Sequence, residues 1–134
     1  MTDNSKNPAE NTLGLEVRRK LLGEHDTRVR DEKIYANDVM RDFVEVTNVT
    51  IFEKIWARPG LDLKTRCLIT TISDVVGGRF PELETHLRMC LRHGWSKDEL
   101  KEAILHLLAY VGAPLVRSSL LVAAKVFDEW EDEA

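Results

Sequence analysis

The sequence lacks most of the features that mark membrane, secreted or nucleic-acid-binding proteins. Its 134 residues contain nothing near the roughly 18 consecutive apolar residues of a membrane-spanning helix. The first twelve residues are polar, so we expect no signal peptide. A formal charge of −4 provides no broad basic surface for nucleic acid. These absences predict a cytoplasmic protein that has neither a nucleic-acid partner nor a membrane partner.

Cysteine is also scarce. The two cysteines, Cys67 and Cys90, lie 23 positions apart, on what the pattern predicts to be different helices. They form no CxxC pair, no zinc-ligand spacing and no disulfide framework. In a reducing cytosol a buried cysteine usually behaves as a small apolar residue. Redox chemistry is therefore disfavoured, and no metal site is predicted.

The sequence is rich in helical periodicity. Its apolar fraction of 43% and charged fraction of 31% are ordinary for a globular chain, and its length fits one domain. We predict a flexible segment at residues 1–11 and a single domain at residues 12–134. About six helices and no convincing strand give an all-α fold, in which the helical segments are 12–23, 31–42 with its continuation 43–55, 64–76, 79–93, 96–111 and 114–130.

Local sequence signals fix several of these boundaries. Asp62 is placed to cap one helix, which Gly77 and Gly78 end. Ser96 and Glu99 form a capping box at the start of another helix. Residues 43–55 contain many β-branched residues, yet they have no turn signal and no second strand to pair with. We therefore expect a buried helix there, broken near Thr47 and Asn48.

Most of the candidate chemistry lies in residues 79–93, RFPELETHLRMCLRH. Pro81 suits the first turn of a helix. At 3.6 residues per turn the segment has an apolar stripe made of Leu83, Leu87, Cys90 and Leu91. A second stripe, with Arg79 just ahead of it, is made of Glu82, His86, Met89 and His93. This second stripe is either an ordinary solvated face or one wall of a site that combines a guanidinium, a carboxylate and two imidazoles.

Two other polar features have simpler interpretations. The basic run Arg18, Arg19 and Lys20 is interpreted as a solvated helix face rather than a phosphate site. His106 lies between Leu105 and Leu107 in a very apolar helix, where a satisfied core or interface histidine is a more common role than a catalytic one. Several helices are apolar on more than one side, which predicts an oligomer.

Three motifs together carry a resemblance to a known family. They are W-x-R-P-G-L-D-x-x-T-R at 56–66, E-x-x-x-H-L-R at 82–88 and the run SKDELKEAILHLLAYVGAP at 96–114. With VRRKLLGEH at 17–25, they resemble the carboxymuconolactone decarboxylase family over about residues 14–124. The resemblance implies an alkylhydroperoxidase-D-like helical bundle and a homohexamer built from three dimers. It also implies active sites near subunit boundaries and an enzyme without a cofactor.

The thiol-peroxidase branch of this superfamily does not fit the sequence. Its C-x-x-C-x-x-x-H motif, laid on His86, requires cysteines where this chain has Arg79 and Glu82. The accessory glutamate of that branch would fall on Cys67. Dithiol chemistry is therefore excluded, and the resemblance is to the decarboxylase branch.

The resemblance implies a carboxy-lyase that acts on an anionic lactone, 4-carboxymuconolactone, in protocatechuate breakdown through the β-ketoadipate pathway. The expected catalytic residues are His86 as the proton donor, Arg79 as the carboxylate anchor and Glu82 as the group that orients the imidazole. Trp56, Arg58 and His93 are the expected substrate-binding residues.

Two departures from the family pattern leave other functions open. Arg92 and His93 precede a glycine where two asparagines are common, and residues 73–78, SDVVGG, replace an apolar, alanine-rich run. One alternative is a paralogous decarboxylase or isomerase for another small enolisable acid or lactone. The other is a non-catalytic oligomeric binding protein on the same scaffold.

Overall fold

The computed structural model describes residues 12–130. These residues form two compact units, and the first ends at Leu61 and the second begins at Asp62. Every regular element in this range is helical, which confirms the predicted all-α class. None of the described helices is long and apolar enough to cross a membrane. The predicted flexible segment at residues 1–11 lies outside the described residues.

The first unit contains three α-helices and a π-helical segment. They are α1 (Leu13–Leu22), α2 (Glu24–Lys33), α3 (Asp38–Thr47) and the π-helical segment Asn48–Trp56. Helix α1 packs against the π-helical segment, and Gly14 makes this approach possible. A Cβ built on Gly14 would lie 1.8 Å from the backbone oxygen of Asn48. Only glycine allows the two backbones to come so close.

Arg18 corrects the prediction of a solvated basic face. It is 3% exposed, and its guanidinium donates hydrogen bonds to Asp31 (2.8 Å) and to Oδ1 of Asn48 (3.4 Å). It also lies 5.5 Å from the ring centroid of Tyr35. Burying an arginine is costly unless it is paired, and here a carboxylate, an amide and an aromatic ring provide the partners.

Two predicted boundaries in this unit are wrong. The helix predicted at 31–42 is interrupted, because α2 ends at Lys33 and the side chain of Asn37 accepts hydrogen bonds from Val39 N and Met40 N to begin α3. The break predicted near Asn48 is instead a change to π-helical winding. The sequence contained the signal for the first error, since asparagine is a strong N-cap residue.

The helix predicted at 43–55 forms, but burial within the unit does not explain it. Its apolar side chains are about half exposed, as for Phe43 (53%), Val46 (57%) and Ile55 (52%). The buried members of this stretch are Val44 and Asn48. The unit therefore presents an apolar face that its own residues do not cover.

The second unit contains five helices. They are α4 (Leu63–Gly77), α5 (Phe80–Arg92), α6 (Lys97–His106), the single turn α7 (Leu108–Val111) and α8 (Ala113–Glu129). Helix α5 packs on both α4 and α8, and α6 packs on α8. Its core is formed by Cys67, Val75, Leu83, Leu87, Met89, Cys90, Leu100, Ile104, Val116, Ala123 and Val126.

The predicted caps of this unit are confirmed. Asp62 accepts a hydrogen bond from Thr65 N at 2.8 Å, and Ser96 forms the capping box with Glu99. Gly78 ends α4 in the left-handed conformation, with φ of 65°. The helix predicted to reach residue 111 is interrupted at Leu107, where α6 gives way to α7. The described part of the chain thus has more helical segments than the six or so predicted.

Helices α6 to α8 leave an open apolar groove. Its volume is about 380 Å³, and its lining residues are Leu105, Leu108, Ala113, Val116, Arg117, Leu120 and Leu121. Tyr110 nearby in sequence is 74% exposed, and the ring of His106 lies 5.4 Å from the ring of Tyr110. His106 is exposed in this unit, so it is not a core histidine here.

Candidate active site

The junction between α4 and α5 brings three charged or titratable side chains together. The left-handed turn at Gly78 reverses the chain, and Arg79 N donates a hydrogen bond to the backbone oxygen of Asp74 at 2.9 Å. Pro81 then occupies the first turn of α5, as predicted. The last turns of α4 and the first turns of α5 therefore lie side by side, so that Asp74 meets Arg79 and His86.

Asp74 is the centre of this cluster. It is 2% exposed, and each of its carboxylate oxygens has a partner. Oδ1 accepts a hydrogen bond from Nε of Arg79 at 3.3 Å, while Oδ2 is within hydrogen-bonding distance of Nδ1 of His86. A buried carboxylate is tolerated only when it is paired in this way.

The two partners of Asp74 are more open to solvent. The side chain of His86 is 24% exposed and that of Arg79 is 51% exposed. Nη2 of Arg79 also donates a hydrogen bond to the hydroxyl of Ser73 at 3.2 Å. These contacts use two of the five N–H groups of the guanidinium, so others can bind a carboxylate from solvent.

The sequence did not lead us to predict the contact between Asp74 and His86. We expected Glu82 to orient the imidazole, but Glu82 is exposed and the carboxylate at Nδ1 belongs to Asp74. A signal was present, because Asp74 shares the buried stripe of α4 with Cys67, Thr71 and Val75. An aspartate at a buried helical position needs a partner, and the facing helix supplies it.

The other expected site residues differ in burial and in the unit to which they belong. His93 is half-buried and follows the last residue of α5. Trp56 is buried and Arg58 is exposed, and both belong to the first unit, so their place at the site stays a prediction. Met89 was placed on the polar stripe but is buried at 4% exposure, because its side chain joins the core.

The two cysteines are buried in the second unit and are poor candidates for thiolate chemistry. Both are 0% exposed. Burial raises the pKa of the Cys67 thiol to about 12 and that of the Cys90 thiol to about 11. The hydroxyl of Thr71 lies 3.2 Å from the Cys90 sulfur. Among residues 12–130, no group of three or more histidine, cysteine or acidic side chains is arranged to hold a metal ion.

The fold and this cluster define an all-α protein in which a carboxylate, a guanidinium and an imidazole meet at the junction of two helices. The model of the carboxymuconolactone decarboxylase family matches residues 39–125. The chain therefore belongs to the carboxymuconolactone decarboxylase family, which confirms the resemblance seen in the sequence.

Three relatives show how far this similarity extends. The chain is 40% identical over 116 residues to the 4-carboxymuconolactone decarboxylase of Acinetobacter baylyi, covering 87% of this chain and 85% of that protein. It is 30% identical to the nitrosuccinic acid decarboxylase npaB of Metarhizium robertsii, over 90% of this chain and 82% of that one. It is 34% identical to an uncharacterized 15.0 kDa protein of Paracoccus denitrificans, over 61% and 63% of the two chains. Two of these relatives are named as decarboxylases, in agreement with the predicted carboxy-lyase class.

Proposed function

We propose that this protein decarboxylates 4-carboxymuconolactone to the β-ketoadipate enol-lactone, in the protocatechuate branch of the β-ketoadipate pathway. The observation that carries the proposal is the placement of Arg79 and His86 on the two oxygens of one buried carboxylate. In this proposal Arg79 is the anion-binding group and His86 is the proton-transfer group, and both contact the same carboxylate. The 40% identity to the Acinetobacter baylyi enzyme supports the choice of substrate.

The proposed reaction needs one group that binds the substrate and one group that donates a proton. The substrate carboxylate is placed vinylogously to the lactone carbonyl, so the electrons released with CO2 pass through the ring to that carbonyl and leave a dienolate. Arg79 would hold a carboxylate of the substrate through its outward N–H groups. His86 would then transfer a proton to carbon. Because the lactone itself accepts the electrons, we propose that no cofactor takes part.

The remaining expected site residues have supporting roles in this proposal. Glu82 lies one turn before His86 on α5, and since Asp74 occupies Nδ1, any contact of Glu82 with the ring would be on its other side. His93 lies seven positions, or about two helical turns, beyond His86. Trp56, Arg58 and His93 are proposed to contact the substrate.

The direct test is incubation of the purified protein with 4-carboxymuconolactone, following loss of the lactone and release of CO2. We expect turnover by the wild type and its loss in His86→Ala, with the circular dichroism spectrum and oligomeric state retained. Turnover that persists in His86→Ala would contradict the role of His86 as proton donor. Absence of turnover by a folded wild-type protein would contradict the proposed substrate.

A second candidate is decarboxylation of another small enolisable acid. The similarity to nitrosuccinic acid decarboxylase over 90% of this chain favours it. Loss of CO2 from either kind of substrate leaves an anion that must be protonated on carbon, so the same two side chains would serve. Nitrosuccinate in the same assay distinguishes the two substrates. Binding of both compounds without turnover would instead support a non-catalytic binding protein.

We also propose a cytoplasmic homohexamer, built from three dimers with sites near subunit boundaries. The support is the amount of apolar surface that each unit leaves exposed, including Phe43, Val46 and Ile55 in the first unit and Leu108 and Leu121 in the second. Light scattering with size-exclusion chromatography tests this assembly. A monomer would contradict it.

A further inference from the structure

We infer that Asp74 is a positioning residue, which holds His86 with a hydrogen on Nδ1 and so makes Nε2 the atom that exchanges the catalytic proton. This inference rests on the proposed function for its kinetic consequences. It rests only on the structure for the state of the imidazole ring.

The first step is the hydrogen-bonding chemistry of the carboxylate. Oδ1 of Asp74 accepts from Nε of Arg79, and Oδ2 contacts Nδ1 of His86. An ionised carboxylate has only acceptors, so the hydrogen in the second contact belongs to the imidazole. Asp74 is 2% exposed, and water cannot easily replace either partner. The ring is therefore held with Nδ1 as a donor.

The second step is the direction of the ring. With Nδ1 held on the α4 side by Asp74, the opposite nitrogen, Nε2, lies on the far edge of the imidazole. The side chain is 24% exposed, and within residues 12–130 the structure assigns no partner to Nε2. Nε2 is thus the ring atom available to a substrate held by the neighbouring guanidinium of Arg79.

The proposed proton transfer uses Nε2 of His86 and no other atom of the ring. Starting from the doubly protonated ring, the Nε2–H bond breaks and its electron pair stays on Nε2. The electron pair of the dienolate forms the new C–H bond, and the ring becomes neutral with its hydrogen still on Nδ1. A proton from solvent then returns to Nε2 for the next turnover, so that one solvent proton is consumed for each CO2 released. Asp74 keeps the ring in one orientation throughout, as an oriented base or acid requires.

Two features of Asp74 distinguish it from Glu82 in this role. Asp74 is buried and bonded to two partners, whereas Glu82 is exposed on the surface of α5. Arg79 binds the other oxygen of the Asp74 carboxylate and so restrains its rotation. A restrained carboxylate fixes a ring better than a mobile one, because less side-chain entropy is lost when the contact forms.

Nitrogen NMR of protein labelled at histidine nitrogen tests the ring directly, without substrate. His86→Gln assigns the signals. In the neutral ring we expect Nδ1 of His86 to carry the hydrogen and Nε2 to carry none. A neutral ring with the hydrogen on Nε2 would overturn the inference. This measurement uses the wild-type protein, so it does not depend on how well a variant folds.

Kinetics of Asp74→Asn provide the second test, with Asp98→Asn as the matched control. The control removes the same charge from an exposed carboxylate in the first turn of α6. We expect Asp74→Asn to lower kcat by about 10-fold or more, with KM within about 3-fold, because orientation of the acid is lost while Arg79 remains. An unchanged kcat in folded Asp74→Asn would overturn the inference.

The two tests separate this inference from the proposed function. If the wild type fails to turn over the lactone but the neutral ring carries its hydrogen on Nδ1, the substrate assignment fails and the positioning role of Asp74 stands. If the wild type turns over the lactone but the neutral ring carries its hydrogen on Nε2, the function stands and the positioning role fails.

Discussion

The guanidinium of Arg79 lies directly against the backbone of Gly77. A Cβ built on Gly77 would be 2.2 Å from Nη1 and 2.9 Å from Cζ of Arg79. Gly77 is the last residue of α4 and, unlike Gly78, has no positive φ that would itself require glycine. The space that its missing side chain leaves is therefore used by Arg79, which is held there by Asp74 and Ser73.

The substitution Gly77→Ala should therefore displace the guanidinium while leaving its charge in place. The new methyl group takes the space of Nη1, and a flexible side chain moves more easily than a backbone. We expect KM for the anionic substrate to rise by about 10-fold, equivalent to about 1.4 kcal/mol. The melting temperature should change little. Steady-state kinetics and thermal melting measure both; an unchanged KM would show that this position of Arg79 is not needed.

Arg79→Lys should weaken substrate binding although the charge is retained. Lysine is a point charge and cannot donate two parallel hydrogen bonds to a carboxylate as a guanidinium does. We expect a KM increase of about 10-fold or more, with a smaller effect on kcat. Substrate titrations of the two proteins measure this. A variant with a normal KM and a reduced kcat would instead place Arg79 at the oxyanion.

Gly14→Ala should destabilise the first unit. Its Cβ would lie 1.8 Å from the backbone oxygen of Asn48, and both sides of this contact are backbone, so relief requires the helices to separate. We expect a loss of about 2 kcal/mol or more in the free energy of unfolding. Gly60→Ala is the matched control, because nothing lies within 4 Å of a Cβ at Gly60. Equal denaturation midpoints for the two variants would contradict this packing.

The cysteines should be unreactive in the folded protein. Burial raises the pKa of Cys67 to about 12 and of Cys90 to about 11, so both stay protonated at neutral pH, and the thiolate is the nucleophile. We expect a thiol reagent to label neither residue before unfolding and both after it. Cys67→Ala should retain turnover. Rapid labelling of the native protein would show that these thiols are accessible.

Glu84 should contribute stability that depends on pH. Its carboxylate accepts hydrogen bonds from Arg88 (3.0 Å) and Lys125 (3.2 Å), which hold its pKa below the ordinary value. A pKa that is lower in the folded state gives stability that is fully present above the unfolded-state pKa of about 4.3 and is lost as the pH falls through the folded-state value.

Glu84→Gln should therefore be less stable than the wild type at neutral pH, by less than about 1 kcal/mol because the pair is near the surface. The difference should vanish in acid. Urea unfolding at a series of pH values measures it. A difference that stays constant into acid would indicate lost packing rather than a lost charge interaction.

Sequence signals that act between neighbouring residues were sufficient to predict many of the helix boundaries in the second unit. Asp62, Gly78, Pro81 and the Ser96 capping box act within one or two helical turns, and each lies where its chemistry predicted. Asn37 is a similar signal that was overlooked. Such signals did not predict the partner of His86. The i, i+4 rule points to Glu82, whereas the observed carboxylate, that of Asp74, is twelve residues away on another helix.

The sequence by itself determined the all-α class, the family and the charged and titratable side chains that the helices carry, because periodicity, caps and motifs depend on residues close together in the chain. Only the tertiary structure decided which of those side chains meet. Asp74 faces His86 and Arg79 because the left-handed turn at Gly78 lays α5 back on α4. That pairing depends on how two helical surfaces pack, which no spacing along a single helix can specify.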